Sequence, residues 1–261
     1  VDYDGGGGYI CNHCGNGDGF KLLEKWTGRT FKDLASEIDQ LQGNIRHVPE
    51  KPKKDPMIRI NQIKRRLVHI SKSKEVMAYL NNRRLPTAPY LWALRDEPYF
   101  VDKEIVGKLD AMVAPFMNPH GKLISFHLTY IQNGQKADVS SPRKLLTPAK
   151  PLDGGALQII GEAEHLGIAE GVETALAVWR DFQIPCWATY SAGMMEKFVP
   201  PVGVNAVTIF GDNDALKKDG KTQGGFAGQK AAYTLAHRLA GKGYKVDVKI
   251  YPEAGKDFAD A

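Results

Sequence analysis

Cysteine is scarce: Cys11, Cys14 and Cys186 are the only three in 261 residues. A disulfide framework needs several paired cysteines in a short chain, so that architecture is excluded and a reduced, cytoplasmic setting is expected. No apolar run approaches the roughly 20 residues that span a bilayer, which excludes a helical membrane anchor within this sequence. The start at Val1 has neither a basic n-region nor an apolar h-region, and so does not read as a secretory leader. It also lacks an initiator Met, which reads as a piece of a longer parent. There is no internal repeat. Composition is 43% hydrophobic and 25% charged, ordinary for a globular chain with room for more than one compact unit.

The net charge of +5 is modest but unevenly placed. Between Arg46 and Arg95 stand Lys51, Lys53, Lys54, Arg59, Lys64, Arg65, Arg66, Lys72, Lys74, Arg83 and Arg84, opposed only by Glu50, Asp55 and Glu75. Such a block points to a polyanion partner; a solvated helical face is the plainer alternative.

Residues 1–20 read as a Gly-rich loop and hairpin around Cys11 and Cys14, and 21–54 as a helix and linker. The helix "TGRTFKDLASEIDQ" opens on a possible Thr cap, and "HVPEKPKKDP" is the linker. Apolar spacing over 57–85 predicts two helices with a break near Ser71 to Ser73. From Ala111 the period becomes two, and "AMVAPFM" and "KLISFHLTYI" flank the turn signal "NPHG" as a β-hairpin. "SPRKLLTPAKP" reads as a basic loop. Thereafter strands alternate with helices: "HLGIAE", "PCWATY", "AVTIFGD" and "KVDVKIYP" as strands, "GVETALAVWRDF" and "GGFAGQKAAYTLAHRLAGKG" as long helices, and a short helix around Met194 to Phe198. That alternation predicts a mainly parallel α/β sheet covered on both faces, over 156–261, preceded by a helical and hairpin basic subdomain over 55–155.

Two of these strands end in acids. "LGIAEG" ends at Glu170, and "VTIFGDND" ends at Asp212 and Asp214. Ligands of open α/β sheets gather at the carboxyl ends of the strands. If the two strands are neighbours, three carboxylates meet there, and their repulsion raises one another's pKa unless a cation intervenes. Hard oxygen ligands select Mg2+ or Mn2+, which usually share their shell with substrate phosphates. Beside a basic region this points to phosphoryl chemistry on nucleotides or nucleic acid. A helix N-cap accounts for Asp214 without a metal; the matching position of Glu170 favours the metal.

"GIAEGVETALA", "IFGDNDA" with "GGFAGQKAA", and "GKDFADA" together resemble the Toprim domain shared by primases, topoisomerases and some nucleases. The likeness is greatest to the Toprim-type primases of phages, plasmids and integrated elements. It implies a Rossmann-like sheet in which Glu170, Asp212 and Asp214 bind the catalytic metals, with Asp257 a weaker match to an assisting acid. The loop 215–223 is longer than the family pattern, and its Lys217, Lys218 and Lys221 read as solvated. "YLNNRRL", the hairpin and "SPRKLLTPAK" resemble the segment that precedes Toprim in these primases. This makes Arg143 and Lys144 candidates for template or nucleotide contact, with Arg83, Arg84 and Lys256 behind them.

"GGGGYICNHCGNGDGF" has the shape of a zinc knuckle, but structural Zn2+ takes four ligands and the second pair is absent. Cys186 lies in a strand and reads as a buried apolar residue; His13 reads as pointing away, and His47 stays open. The segment resembles the C-terminal half of a primase zinc ribbon, which implies Zn2+ on Cys11 and Cys14 only where the parent protein completes the set. The resemblance implies a nucleotidyltransferase, a DNA-directed RNA polymerase of primase type. Its partners would be single-stranded DNA, ribonucleoside triphosphates and a replicative helicase, fused or separate. The rival readings are a Toprim nuclease or topoisomerase, and a non-catalytic single-stranded DNA-binding module.

Overall fold

A computed structural model describes residues 8–11, 15–42, 55–102, 104–214 and 226–260. The chain divides into two compact units, Val1–Lys53 and Lys54–Ala261. In the first, strands β1 (Tyr9–Cys11) and β2 (Gly15–Gly17) pair antiparallel. Helix α1 (Gly19–Thr27) follows, capped by Asp18, whose carboxylate accepts from the Lys21 N–H at 2.8 Å. Helix α2 (Phe31–Gln42) is capped by Thr30, three residues after the Thr27 expected to open it, which instead ends α1. The Thr30 hydroxyl accepts from the Asp33 N–H at 3.3 Å and donates to the Asp33 carboxylate at 2.7 Å. Phe20 and Phe31 pack at 4.7 Å between ring centres and join the two helices. Cys14 and the side chain of Cys11 lie outside the described residues, as do His13, His47 and the linker lysines.

The second unit opens with helix α3 (Pro56–Arg66), capped by Asp55 with Pro56 in its first turn, where a missing N–H costs nothing. Strand β3 (Val68–His69) and a 3-10 turn, Ile70–Lys72, lead into α4 (Lys74–Asn82). The break expected near Ser71 to Ser73 is this turn, and Ser73 caps α4 through its hydroxyl. Strands β4 (Trp92–Val101), β5 (Glu104–Met117) and β6 (Leu123–Gln132) form an antiparallel meander. The hairpin at "NPHG" is therefore present. Two short strands pair with β6: β7 (Gln135–Lys136) and β8 (Arg143–Leu145). The basic loop expected over 141–151 thus contains a strand, held by the His127, Leu128 and Thr129 backbone.

β4 and the first half of β5 were not legible in the sequence, for a physical reason. The "RDEP" stretch at Arg95 to Pro98 breaks the two-residue alternation. In the structure the register shifts between Leu94 and Glu97, with Asp96 at φ 50°. That bulge turns Glu97 inward, fully buried, against the guanidinium groups of Arg59 and Arg66 on α3. Two members of the basic block, their side chains still partly exposed, are thus paired with a buried carboxylate.

Strand β9 (Ala156–Leu157) pairs antiparallel with both β5 and β11. It joins the meander to a parallel part built from β10 (His165–Ala169), α5 (Val172–Phe182), β11 (Cys186–Ala188), α6 (Ala192–Lys197), β12 (Ala206–Gly211), α7 (Ala227–Ala240) and β13 (Lys245–Ile250). The whole is one mixed sheet in which the parallel strands run in the order β13-β12-β10-β11. β10, β11 and β12 are buried on both faces and are apolar at nearly successive residues, whereas the edge strand β13 alternates charged and apolar residues. Ala169, Cys186, Ala188 and Phe210 pack with α5 on one face, and Leu166, Ile168, Trp187, Val207 and Ile209 pack with α6 and α7 on the other. Cys186 is fully buried, as expected, and burial pushes its thiol well above the usual range. Among the described residues no helix is long and apolar enough to cross a membrane.

Candidate active site

The strand order fixes where a ligand can sit. After β10 the chain enters α5 on one face; after β12 it enters α7 on the opposite face. Adjacent parallel strands whose connections leave to opposite sides open a crevice at their carboxyl ends. In register, Ala169 is paired with Phe210. Glu170 and the Asp212–Asp214 segment therefore emerge side by side at the mouth of that crevice, as the sequence predicted.

A third segment is pinned to the same rim. Asn213 forms an isolated bridge with Lys256, its N–H donating to the Lys256 carbonyl at 3.1 Å and its carbonyl accepting from Gly255 at 2.6 Å. The Asn213 amide also donates to the Tyr251 carbonyl at 2.8 Å. Downstream a 3-10 turn, Phe258–Asp260, is anchored by Phe258 against Phe210, Phe182 and Tyr251. This carries Asp257 and Asp260 to the acids.

The electrostatics follow from crowding. Burial, then the charges of Asp257, Glu170, Asp214 and Asp260, pushes the Asp212 carboxyl up from 3.8 to about 7. Glu170 is raised by burial and by Asp214, with Arg143 opposing and Asp257 reinforcing. Asp257 is raised by burial, opposed by the Ala259 N–H that it accepts at 2.6 Å, and raised further by Asp260. Among the described residues, Asp212 Oδ1 is buried without a hydrogen-bond partner. An unpaired buried carboxylate oxygen among like charges is costly unless it meets a cation. The donor set is all oxygen, which fits Mg2+ or Mn2+.

Asp214 is placed differently. Its Oδ2 accepts from the Gly228 N–H at 2.7 Å, in the first turn of α7, so the cap alternative describes its present contact. Gly228 lets the helix start approach closely: an added Cβ would lie 3.1 Å from the Asp212 carbonyl and 3.2 Å from Asp214 Oδ2, so these neighbours would have to give by a few tenths of an ångström. Among the described residues no group of three His, Cys, Asp or Glu side chains is arranged to hold a metal as the side chains stand. The acids share a rim and one another's fields, and do not form a closed shell.

The basic candidates separate. Arg143 is exposed on β8 and lines a cavity beside Glu170. Lys144 turns away, donating to the Phe100 carbonyl at 2.8 Å with its ammonium 3.8 Å over the Tyr99 ring. Arg83 holds the C-terminal turn through the Ala259 carbonyl at 3.3 Å and Asp260 at 3.6 Å. Arg84 is exposed at φ 52°, and its carbonyl accepts from Arg180 at 2.9 Å. Lys256 pairs with Glu253. Lys217, Lys218 and Lys221 lie outside the described residues.

Sequence reasoning missed Glu173, His127 and Tyr190. Glu173, in the first turn of α5, is buried and accepts from the Tyr79 hydroxyl at 2.8 Å and Lys136 Nζ at 3.0 Å. Its position one turn after Glu170 was the available signal. His127 and Tyr190 pack edge to face at 5.5 Å between ring centres and line the cavity together, and nothing in their spacing marks them.

Comparison with known proteins bears on the fold that carries this site. Residues 165–261 match the Toprim domain family, and residues 55–158 match a domain of unknown function, DUF7146. No curated protein sequence matches the chain. Among solved structures, the zinc-binding and RNA polymerase domains of the Aquifex aeolicus primase align over 97% of this chain and 69% of that one, at 16% identity and TM-score 0.51. The primase fragment of the bacteriophage T7 primase-helicase protein aligns over 73% and 66%, at 16% identity and TM-score 0.41. A DNA primase domain from Pseudomonas aeruginosa aligns over 87% and 73%, at 13% identity and TM-score 0.40. The first of these shows a shared fold: a Toprim sheet within a primase-like architecture.

Proposed function

We propose that this chain, whose residues 165–261 are a Toprim domain in a primase-like fold, is the catalytic core of a DNA primase. It would make short RNA primers on single-stranded DNA in the replication of a phage, plasmid or integrated element. The observation that carries the reading is the crevice between β10 and β12, where Glu170 and Asp212 emerge together and Asp212 Oδ1 is buried without a partner among the described residues.

Glu170, Asp212 and Asp214, with Asp257 beside them, would hold Mg2+ or Mn2+. When bound, such ions lower the charge on an α-phosphate and stabilise a leaving pyrophosphate. The chain's own residues supply position and field. Asn213 locks the D-x-D segment to 255–257, so the aspartates cannot move apart freely. Arg83 fixes the turn that carries Asp257 and Asp260. Arg143 adds a positive charge opposite Glu170, suited to a substrate phosphate. No side-chain nucleophile is required, because the attacking hydroxyl belongs to a nucleotide and catalysis rests on orientation and electrostatics. Exposed Lys64 and Arg65 on α3 would hold template phosphates with little sequence preference. Cys11 and Cys14 would supply two of the four ligands of a zinc ribbon, and a replicative helicase would be the partner.

Incubation with unprimed single-stranded DNA, ribonucleotides and Mg2+ or Mn2+ should yield template-dependent oligoribonucleotides, and Asp212→Ala should abolish them. Undiminished synthesis by Asp212→Ala would refute the assignment. Nicking without synthesis would replace it with a nuclease.

A further inference from the structure

A cavity of about 400 Å³ opens beside Glu170, walled by His127, Leu157 and Tyr190 and rimmed by Ser141 and Arg143. This volume falls within the roughly 300–1,000 Å³ of small-molecule sites. We infer that it receives the base and ribose of a nucleoside triphosphate, with Tyr190 and His127 as the aromatic wall against which the base lies. The inference rests on the primase reading for the phosphates and deepens it.

Three independent observations support it. First, Tyr190 adopts φ 76°, a left-handed conformation that is strained for a bulky residue. Its N–H donates to the Glu170 carbonyl at 2.9 Å, so the backbone of the acid rim holds the strained residue in place. Second, the Tyr190 ring is 39% exposed although it stands at the end of a buried strand. A ring held open at the mouth of a crevice offers a face for stacking. Third, His127 is buried beside Tyr190 in the same wall, its ring in edge-to-face contact with the Tyr190 ring, and burial holds its imidazole neutral, down to about 4. A neutral ring presents one N–H donor and one acceptor, a pairing suited to the polar edge of a base or a ribose hydroxyl. Because Glu170 forms part of the same wall, a nucleoside seated here has its 5′ phosphates beside the acids and Arg143. That placement favours a free nucleotide over a template base.

The test is binding of ATP and UTP with Ca2+ in place of the catalytic ion, by calorimetry on the whole chain. Inorganic triphosphate and a dT oligomer serve as separate ligands. Tyr190→Ala should weaken nucleotide binding by about tenfold or more, the size expected for one lost aromatic stack. Tyr190→Phe should remain within about threefold of the parent, and inorganic triphosphate and the oligomer should be unaffected. Tyr190→Gly, which relieves the left-handed strain, should melt no lower than the parent while losing nucleotide, which separates binding from folding. In primer synthesis Tyr190→Ala should raise the nucleotide KM and leave kcat nearly unchanged.

Equal nucleotide binding by the parent and Tyr190→Ala overturns the inference, as does an equal loss of inorganic triphosphate. Loss of the oligomer instead of the nucleotide assigns the cavity to template and overturns it too. If synthesis proceeds but Tyr190→Ala changes nothing, this site is wrong and the primase reading stands. If no synthesis occurs but base-dependent binding does, the polymerase reading fails and this site stands.

Discussion

At the scale of single residues, Asp212 concentrates the chemistry of the rim. Folded, it holds a proton up to about pH 7; unfolded, it releases one near 3.8. The folded state therefore binds more protons across that window, so stability falls as pH rises from about 4 to about 7 and levels off above. The width of that window, at roughly 1.4 kcal/mol for each tenfold change in proton affinity, bounds the loss, and solvent relaxation brings it to an order of 2–3 kcal/mol. Without divalent cation, Asp212→Asn should flatten this slope and raise stability by about 2 kcal/mol at pH 8. Urea unfolding at pH 5 and pH 8 measures it, and an unchanged slope in the variant would contradict the burial and repulsion described. Glu170 and Asp212 were legible in the sequence because an acid closing a buried strand is visible as a break in apolarity. The contacts of Lys144 were illegible for the converse reason. Its charge is visible in the sequence, whereas the Tyr99 ring beneath it comes from a strand far upstream. Tyr190 and His127 were illegible because strain and cavity walls exist only in three dimensions.

At the scale of elements, Glu173 ties α5 to α4 and to β7. Burial opposes its ionisation, but the Lys136 charge and hydrogen bonds, including that from Tyr79, prevail and hold it down to about 2. Burial and the Glu173 charge in turn push the Tyr79 phenol above its usual range. The stabilisation from Glu173 is present above its ordinary 4.5 and is lost as pH falls through about 2. Glu173→Ala should cost roughly 3 kcal/mol at pH 7, the low end for breaking a buried pair because Lys136 is partly exposed. The deficit relative to the parent should shrink toward pH 2, as denaturation at both values would show; a constant deficit would mean that shape rather than charge matters. Elements with a clean period were readable: α5, α7, β10, β12 and the β5–β6 hairpin. β4 was not, since its bulge exists to bury Glu97 against Arg59 and Arg66, partners 38 and 31 residues away.

At the scale of the whole molecule, the parallel part and the meander share one sheet through the two-residue strand β9. The acids at the crevice and the exposed cations of α3 thus belong to one compact unit. The basic block was legible as composition, but its effective charge was not, because Arg59 and Arg66, though partly exposed, are paired with the buried Glu97. Lys64 and Arg65 are exposed on the same helix. Lys64→Glu with Arg65→Glu should weaken binding of a dT oligomer severalfold at about 50 mM salt and reduce the slope of log K against log salt by about 1–2. Loss of affinity with an unchanged slope would place the template elsewhere.

The central claim is that the carboxylates at the ends of β10 and β12 serve one divalent ion. Mn2+ titration followed by electron paramagnetic resonance tests it without any substrate. The parent chain should bind Mn2+ saturably and release it to excess Mg2+, and both Glu170→Gln and Asp212→Asn should remove that binding while the fold persists. Mn2+ bound as tightly by both variants as by the parent would contradict the account.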